Sequence, residues 1–191
     1  MSIQSSLFDF DVPSLPEGMR YFEDAISQPQ EQSLTRYIQQ LPLKPFEFAR
    51  GFKGNRRIMS FGWRYDYNQQ KLIKASPIPK ELDEVRRVTA GLVNHHPDDL
   101  RQALVTEYTP GAGIGWHRDK KMFGDVIGIS LLAPCNFRLR LKNDAGWNRI
   151  SLQANPRSAY VLSGPSRTLW EHSIPPMDRL RYSITFRTFT T

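Results

Sequence analysis

The sequence predicts a mainly β domain with flanking helices, an α+β arrangement, and three observations carry that prediction. From Ala103 onward, short β-type runs separated by turns recur at Ala103–Tyr108, Val126–Ala133, Phe137–Lys142, Ser158–Ser163 and Leu180–Phe189, the spacing of a sandwich or barrel. Two stretches of helical period precede them. The last run alternates Leu180, Tyr182, Ile184 and Phe186 with Arg181, Ser183, Thr185 and Arg187, so period two gathers four polar side chains on one face. Such a face either meets water or lines a polar barrel interior that holds a ligand.

Taken in order, residues 1–19 mix Ser, Pro and isolated apolar positions without a period and read as an arm whose Leu7, Phe8 and Phe10 dock locally. From Gln30 to Leu41, Leu34, Tyr37, Ile38 and Leu41 fall at helical spacing and Pro42 closes the segment. Phe46 to Tyr67 is rich in aromatics and Arg, and its end, from Ser60, reads as extended or hairpin structure suited to a lid. A second helix is predicted from Pro79 to about Asn94, with Leu82, Val85, Val88 and Leu92 on one stripe. The expected organisation is therefore one domain over 20–191, with a lid and bracing helices in 20–100 and the β core in 101–191.

Composition narrows the function. Apolar residues make up 39% and charged residues 24%, enough for a sizeable core in a globular protein. The longest nearly apolar stretch, Val126 to Ala133, is far short of the roughly 20 residues that cross a bilayer, so a cytoplasmic protein without a membrane segment is expected. Cys135 is the only cysteine, which excludes an internal disulfide and any thiolate cluster; a metal must be held by His and carboxylates. A net charge of +7 favours polyanionic partners, although a merely solvated basic surface produces the same number. Nothing calls for an obligate protein partner, and a monomer is expected.

His117-Arg118-Asp119 is a His-x-Asp, and an extended backbone there aims the imidazole and the carboxylate the same way. Alone, such a tripeptide is commonly a surface His beside an acid. Here it follows Tyr108-x-x-Gly111 and precedes His172, Arg181 and Arg187. Two imidazoles and one carboxylate on one face of a metal leave coordination positions open, as in non-haem iron oxygenases and unlike closed structural sites. An α-keto acid chelates through two open positions and dioxygen takes another. The planar fork of an Arg suits the distant carboxylate of such an acid.

This ordered set, spanning Val105 to Thr188 and including Tyr108-Thr109-Pro110-Gly111-Ala112 and the Arg181-to-Arg187 strand, resembles the AlkB family of nucleic-acid demethylases. The resemblance implies a double-stranded β-helix, or jelly-roll, with iron at its mouth and a variable amino-terminal lid over the substrate. It assigns Fe(II) to His117, Asp119 and His172. Arg181 and Tyr108 would hold the far carboxylate of 2-oxoglutarate, Arg187 its near end, and Thr106 would lie near the co-substrate. With O2, the implied reaction is demethylation of alkylated bases in DNA or RNA, with formaldehyde, succinate and CO2 as products. Three positions depart from the pattern: Thr106 stands where many members carry Asn, Lys121 where the bacterial prototype has an acid, and Ser163 where it has Trp. The segments 61–67 and 164–172 are more similar to branches that include tRNA-modifying members.

Base flipping requires flat side chains beside cations, and Trp63, Tyr65 and Tyr67 lie close to Arg56, Arg57 and Arg64; the same aromatics would equally fill a hairpin core. Arg118, Lys120 and Lys121 flank the proposed ligands, as phosphate contacts or as a solvated run. The expected substrate contacts are Arg57, Trp63, Tyr65, Arg118 and Lys121. His95 and His96 read as a helix-end or loop contact, Cys135 as packing, and Glu171, of opposite strand parity to His172, as pointing away from the metal. Two alternatives stay open: the same chemistry on a tRNA wobble modification, a protein side chain or a small metabolite, and a metal-free nucleic-acid-binding module.

Overall fold

The computed structural model describes residues 14–47 and 53–190, so Leu7, Phe8 and Phe10 lie outside the described residues. The first helix, α1 (Gln28–Gln39), starts where Ser27 and Gln30 cap each other: the Gln30 amide donates to Ser27 Oγ at 3.3 Å and the Ser27 amide to Gln30 Oε1 at 2.7 Å. Pro29 sits in its first turn, where no amide hydrogen is needed. The second, α2 (Asp83–Leu92), is entered through a 3-10 turn at Lys80–Leu82 and buries Leu82, Val85 and Ala90, with Val88 and Leu92 partly covered.

Among the described residues the strands follow the order β1 (Met19–Phe22), β2 (Lys44–Glu47), β3 (Lys53–Phe61), β4 (Trp63–Asp66), β5 (Lys71–Lys74), β6 (Gln102–Tyr108), β7 (Ile114–His117), β8 (Phe123–Leu131), β9 (Cys135–Asn143), β10 (Gly146–Ala154), β11 (Ala159–Leu162), β12 (Glu171–Ile174) and β13 (Arg181–Phe189). A seven-stranded sheet runs β1-β11-β8-β13-β6-β3-β2, a four-stranded sheet β10-β9-β12-β7, and β4 and β5 form a separate hairpin. Every paired strand is antiparallel. One apolar cluster joins the helices to one face of the larger sheet through Val105, Ile127, Ile129, Ile184 and Phe186. A second lies between the sheets, where Tyr108, Val126 and Tyr160 meet Phe137, Leu139 and Ile174. The result is the jelly-roll with flanking helices, and its alternation explains β13: Tyr182, Ile184 and Phe186 face the helices while Arg181, Ser183, Thr185 and Arg187 are buried on the other side.

Several elements were not visible as β-type runs. The strand β10 is polar and largely exposed at a sheet edge, while β7 and β12 are four-residue strands that carry site residues in place of apolar ones. The arm predicted over 1–19 gives way at its end to sheet structure, since the Ser163 amide and hydroxyl both donate to the Gly18 carbonyl and Met19 opens β1. Pairing of Tyr160 with Gly128 lays the tyrosine ring over the glycine, and a Cβ there would overlap it. Gly128→Ala is expected to destabilise the domain by about 1–3 kcal/mol through overpacking, read as a lower denaturant midpoint at unchanged slope; an unaltered midpoint would contradict this packing.

Candidate active site

The strands β7 and β12 are neighbours, and their register sets His117 opposite His172. Both imidazoles consequently point the same way, into the space between the sheets, with ring centroids 4.3 Å apart. His117 Nδ1 lies 2.8 Å from the Gly115 carbonyl, which can only accept, so the proton sits on Nδ1 and Nε2 keeps its lone pair. His172 is stacked on Phe137 at 5.4 Å and 20°. Asp119 lies two residues past the end of β7, in the loop to β8, rather than within a strand. Even so, one donor atom from each of His117, Asp119 and His172 lies within 4.8 Å of the others.

Two arginines put Asp119 there. Arg187, inward-facing on β13, directs Nε to Asp119 Oδ1 at 2.9 Å and a terminal nitrogen to the same oxygen at 2.7 Å; its other terminal nitrogen donates to Gln102 at 3.1 Å. Arg167, on the short helix α3 (Gly164–Thr168), donates to the Lys120, Phe123 and Gly124 carbonyls at 2.6, 2.8 and 3.0 Å and so ties down the loop that carries Asp119. The sequence singles out the segment 164–172 but gives Arg167 no role of its own, because its three acceptors are backbone atoms.

The electrostatics suit a cation. Burial pushes the Asp119 carboxyl up, but Arg187 and then the two imidazoles outweigh it and hold the group well below the usual carboxylate range. Burial, with His117 alongside, drops His172 to about 3, and burial also lowers His117. All three groups are thereby in their metal-binding protonation states at neutral pH. Asp119 Oδ2 is buried, has no hydrogen-bond partner among the described residues, and lies 3.7 Å from His172 Nε2. An ionised oxygen aimed at two imidazole lone pairs without a donor is costly unless a cation sits between them, so the donor set fits Fe(II) with open positions.

A second unmet requirement lies deeper. Arg181 is 0% exposed; its Nε donates to Ser130 Oγ at 3.1 Å, the Tyr108 ring lies 5.1 Å from its guanidinium carbon, and both terminal nitrogens lack a partner among the described residues. A carboxylate would satisfy both nitrogens at once, which fits the residues to a diacid such as 2-oxoglutarate. Tyr108, which touches Arg181, lines with Thr106 and Thr185 a cavity of about 140 Å³ that His117, Asp119 and His172 also line.

The cavity mouth is aromatic and cationic. Tyr65 and Tyr67 meet edge to face at 4.9 Å, Lys120 Nζ lies 4.9 and 5.2 Å from their rings, and Arg56 lies 4.0 Å over Phe46. Tyr65 and Arg118 line the cavity. The other expected substrate contacts do not: Arg57 turns outward to pair with Glu107, Trp63 packs edge-on against Phe189 at 5.7 Å, and Lys121 is exposed. Strand parity accounts for the first of these, because Arg56, one residue earlier, takes the inward face of β3. Glu171 turns outward to Arg140 at 2.7 Å, His95 pairs with Asp125, His96 caps a 3-10 turn, and Cys135 is buried.

Comparison with known proteins matches this arrangement. The family pattern described as the 2OG-Fe(II) oxygenase superfamily matches residues 18–187. A "tRNA (carboxymethyluridine(34)-5-O)-methyltransferase alkbh8" of Xenopus tropicalis is 29% identical over 171 residues, covering 86% of this chain and 26% of its own length. The chain thus spans about a quarter of that curated relative. Among solved structures, OsALKBH1 superposes with a TM-score of 0.69 at 17% identity, over 92% of this chain and 98% of that one. A prolyl hydroxylase of Trichoplax adhaerens, in complex with a hypoxia inducible factor peptide fragment, reaches 0.65 at 13%, over 91% and 84%. At such identities the two structures speak for the jelly-roll alone.

Removing a group that orients a metal ligand typically weakens metal affinity about 10–100-fold. Arg187→Met and Arg167→Met are each expected to fall in that range when titrated with Mn(II) in a calorimeter, with Arg167→Lys intermediate because it restores charge but not the three-carbonyl fork. Wild-type affinity in Arg187→Met would contradict the role given to the ion pair.

Proposed function

Since this chain belongs to the 2OG-Fe(II) oxygenase superfamily, and is a dioxygenase dependent on Fe(II), 2-oxoglutarate and O2, we propose that it oxidises an alkyl group on a nucleic-acid base. On an N-methylated base in DNA or RNA the outcome is demethylation. The observation that carries the reading is a cavity with an aromatic, cationic mouth where three metal-ligand atoms converge, and on whose wall Tyr108 touches a buried arginine, Arg181, with both terminal nitrogens lacking a partner among the described residues. The mouth supports a base over a peptide because Tyr65 and Tyr67 provide flat surfaces while Lys120 and Arg56 stand ready for phosphate oxygens.

In this reading His117 Nε2, Asp119 Oδ2 and His172 Nε2 hold Fe(II). Arg181 and Tyr108 take the far carboxylate of 2-oxoglutarate, and Thr106 lies on the adjoining wall. Arg187 acts through Asp119, keeping it ionised and aimed, since its nitrogens already serve Asp119 and Gln102. Bound Fe(II), with 2-oxoglutarate and O2, supplies oxidative decarboxylation to succinate and CO2 coupled to hydroxylation of a C–H bond, and a hydroxymethyl group on nitrogen then leaves as formaldehyde. The chain's own contribution is to seat the diacid at the cavity floor, exclude bulk water with Phe137, Tyr160 and Phe123, and present the base through the tyrosine mouth.

A second reading keeps the chemistry and moves it to a tRNA wobble base. It is favoured by relatives whose name specifies tRNA and position 34, and it needs no change in the site.

Purified protein given Fe(II), 2-oxoglutarate and methylated DNA, RNA or tRNA should form succinate together with formaldehyde or a hydroxylated base, and His117→Ala should abolish both products. Turnover independent of 2-oxoglutarate, or oxidation confined to proteins and metabolites, would refute the proposal. Arg181→Met should raise the KM for 2-oxoglutarate roughly thirty-fold or more, the scale of truncating one partner of a buried charge pair. An unchanged KM would remove Arg181 from the diacid site.

A further inference from the structure

We propose that the outer face of the four-stranded sheet is a track for the single-stranded nucleic acid flanking the target base; the inference rests on the nucleic-acid reading of the cavity for where that base sits. Because His117 and His172 point inward, their neighbours Trp116 and Glu171 point outward. The register of β9 with β10 sets Lys142 beside Trp147 and Arg140 beside Arg149, and its register with β12 sets Arg140 beside Glu171 and Arg138 beside Ser173. Among the described residues, the strands of one face therefore present Arg138, Arg140, Lys142 and Arg149 with two indoles and one carboxylate, Glu171.

Internal packing accounts for only part of this face. Arg140 is clasped between Trp116 and Trp147, at 4.5 and 4.1 Å, and bonds Glu171 at 2.7 Å. Arg138 lies over Trp116 at 5.1 Å and donates to Ser173. The carboxylate that the strands place on this face is thus already engaged, and among the described residues, Asp144 in the β9–β10 turn included, Lys142 and Arg149 form no ion pair. Arg149 directly opposes Arg140, whose charge Glu171 already meets, so Arg149 is left as the cation of that pair without a carboxylate. Trp147 is 38% exposed, leaving indole surface that Arg140 does not use.

Phosphates answer the unneutralised cations, and a base answers the open indole, because stacking tolerates any base while counterion release rewards each phosphate contact. The face is also continuous with the cavity. The strand β7 is the sheet edge, Arg118 follows His117 at the rim, and β10 is three strand spacings away, roughly 14 Å, a span of a few nucleotides. An acidic protein would answer the charges and leave the indole unexplained.

The test is fluorescence anisotropy of the full chain with labelled, unmodified single strands of about 12 nucleotides, one of RNA and one of DNA, from about 50 to 200 mM salt. Lys142→Gln/Arg149→Gln should flatten the dependence of log K on log salt by about 1.4, two contacts at roughly 0.7 each. Trp147→Ala should weaken binding about ten-fold with little change of slope, within the range for one stacked base, and Trp147→Phe should retain it. The strand type with the larger losses identifies the ligand. Oxidation of a modified mononucleoside should be the same in all variants; its absence from wild type would count against the reading of the cavity, not against the track. Variants that bind like wild type, or a wild-type chain that binds polyglutamate but neither oligonucleotide, would overturn the proposal.

Discussion

The buried ion pair between Asp119 and Arg187 is the contact on which the site depends. A carboxylate withdrawn to 7% side-chain exposure would normally take up a proton. Arg187 prevents this by engaging Oδ1 with two nitrogens, which leaves Oδ2 ionised, bare and facing both imidazoles. The arginine can reach that point because β13 lies at the centre of the larger sheet, between β8 and β6, and turns its polar side chains toward the smaller sheet. A strand buried on both faces, with apolar residues toward the helices and charged ones toward the cavity, is stable only if those charges have partners. Asp119 is one such partner; for Arg181, the superfamily's diacid co-substrate has the matching chemistry.

Division of labour between the sheets follows. The larger sheet, braced by α1 and α2, supplies the rigid wall with Arg181, Arg187 and Tyr108, while the smaller supplies the imidazoles from β7 and β12. The elements around the mouth are thinner: Phe46 comes from β2, Arg56 from β3 and the tyrosines from β4, whose β4–β5 hairpin pairs with neither sheet. A floor of imidazoles and arginines built on the two sheets, under an aromatic rim carried in part by a separate hairpin, is the combination expected where chemistry is fixed and substrate shape varies.

Much of this was legible in the sequence because side-chain period survives translation into structure. The alternation of Leu180 to Arg187 specified both faces of β13, and five of the core strands stood out as β-type runs. The cluster of His117, Asp119 and His172 was legible through motif order, although Asp119 lies beyond the strand, its position set by Arg167 and Arg187 rather than by pleating. What stayed hidden shares a physical cause: β7, β10 and β12 lack an apolar alternation because they are short, polar or at an edge, and Arg167 acts on backbone carbonyls that no sequence displays. Among cavity residues, a one-residue difference in parity on β3 separates inward Arg56 from outward Arg57. Without the strand's register, the sequence could not distinguish them.

A crystal structure of the chain grown anaerobically with Mn(II) and 2-oxoglutarate is the decisive measurement. One ion is expected on His117 Nε2, Asp119 Oδ2 and His172 Nε2, with the far carboxylate of the diacid on the terminal nitrogens of Arg181 and with Arg187 still on Asp119 Oδ1. An ion held elsewhere, or a bound diacid that leaves Arg181 without a partner, would contradict this arrangement.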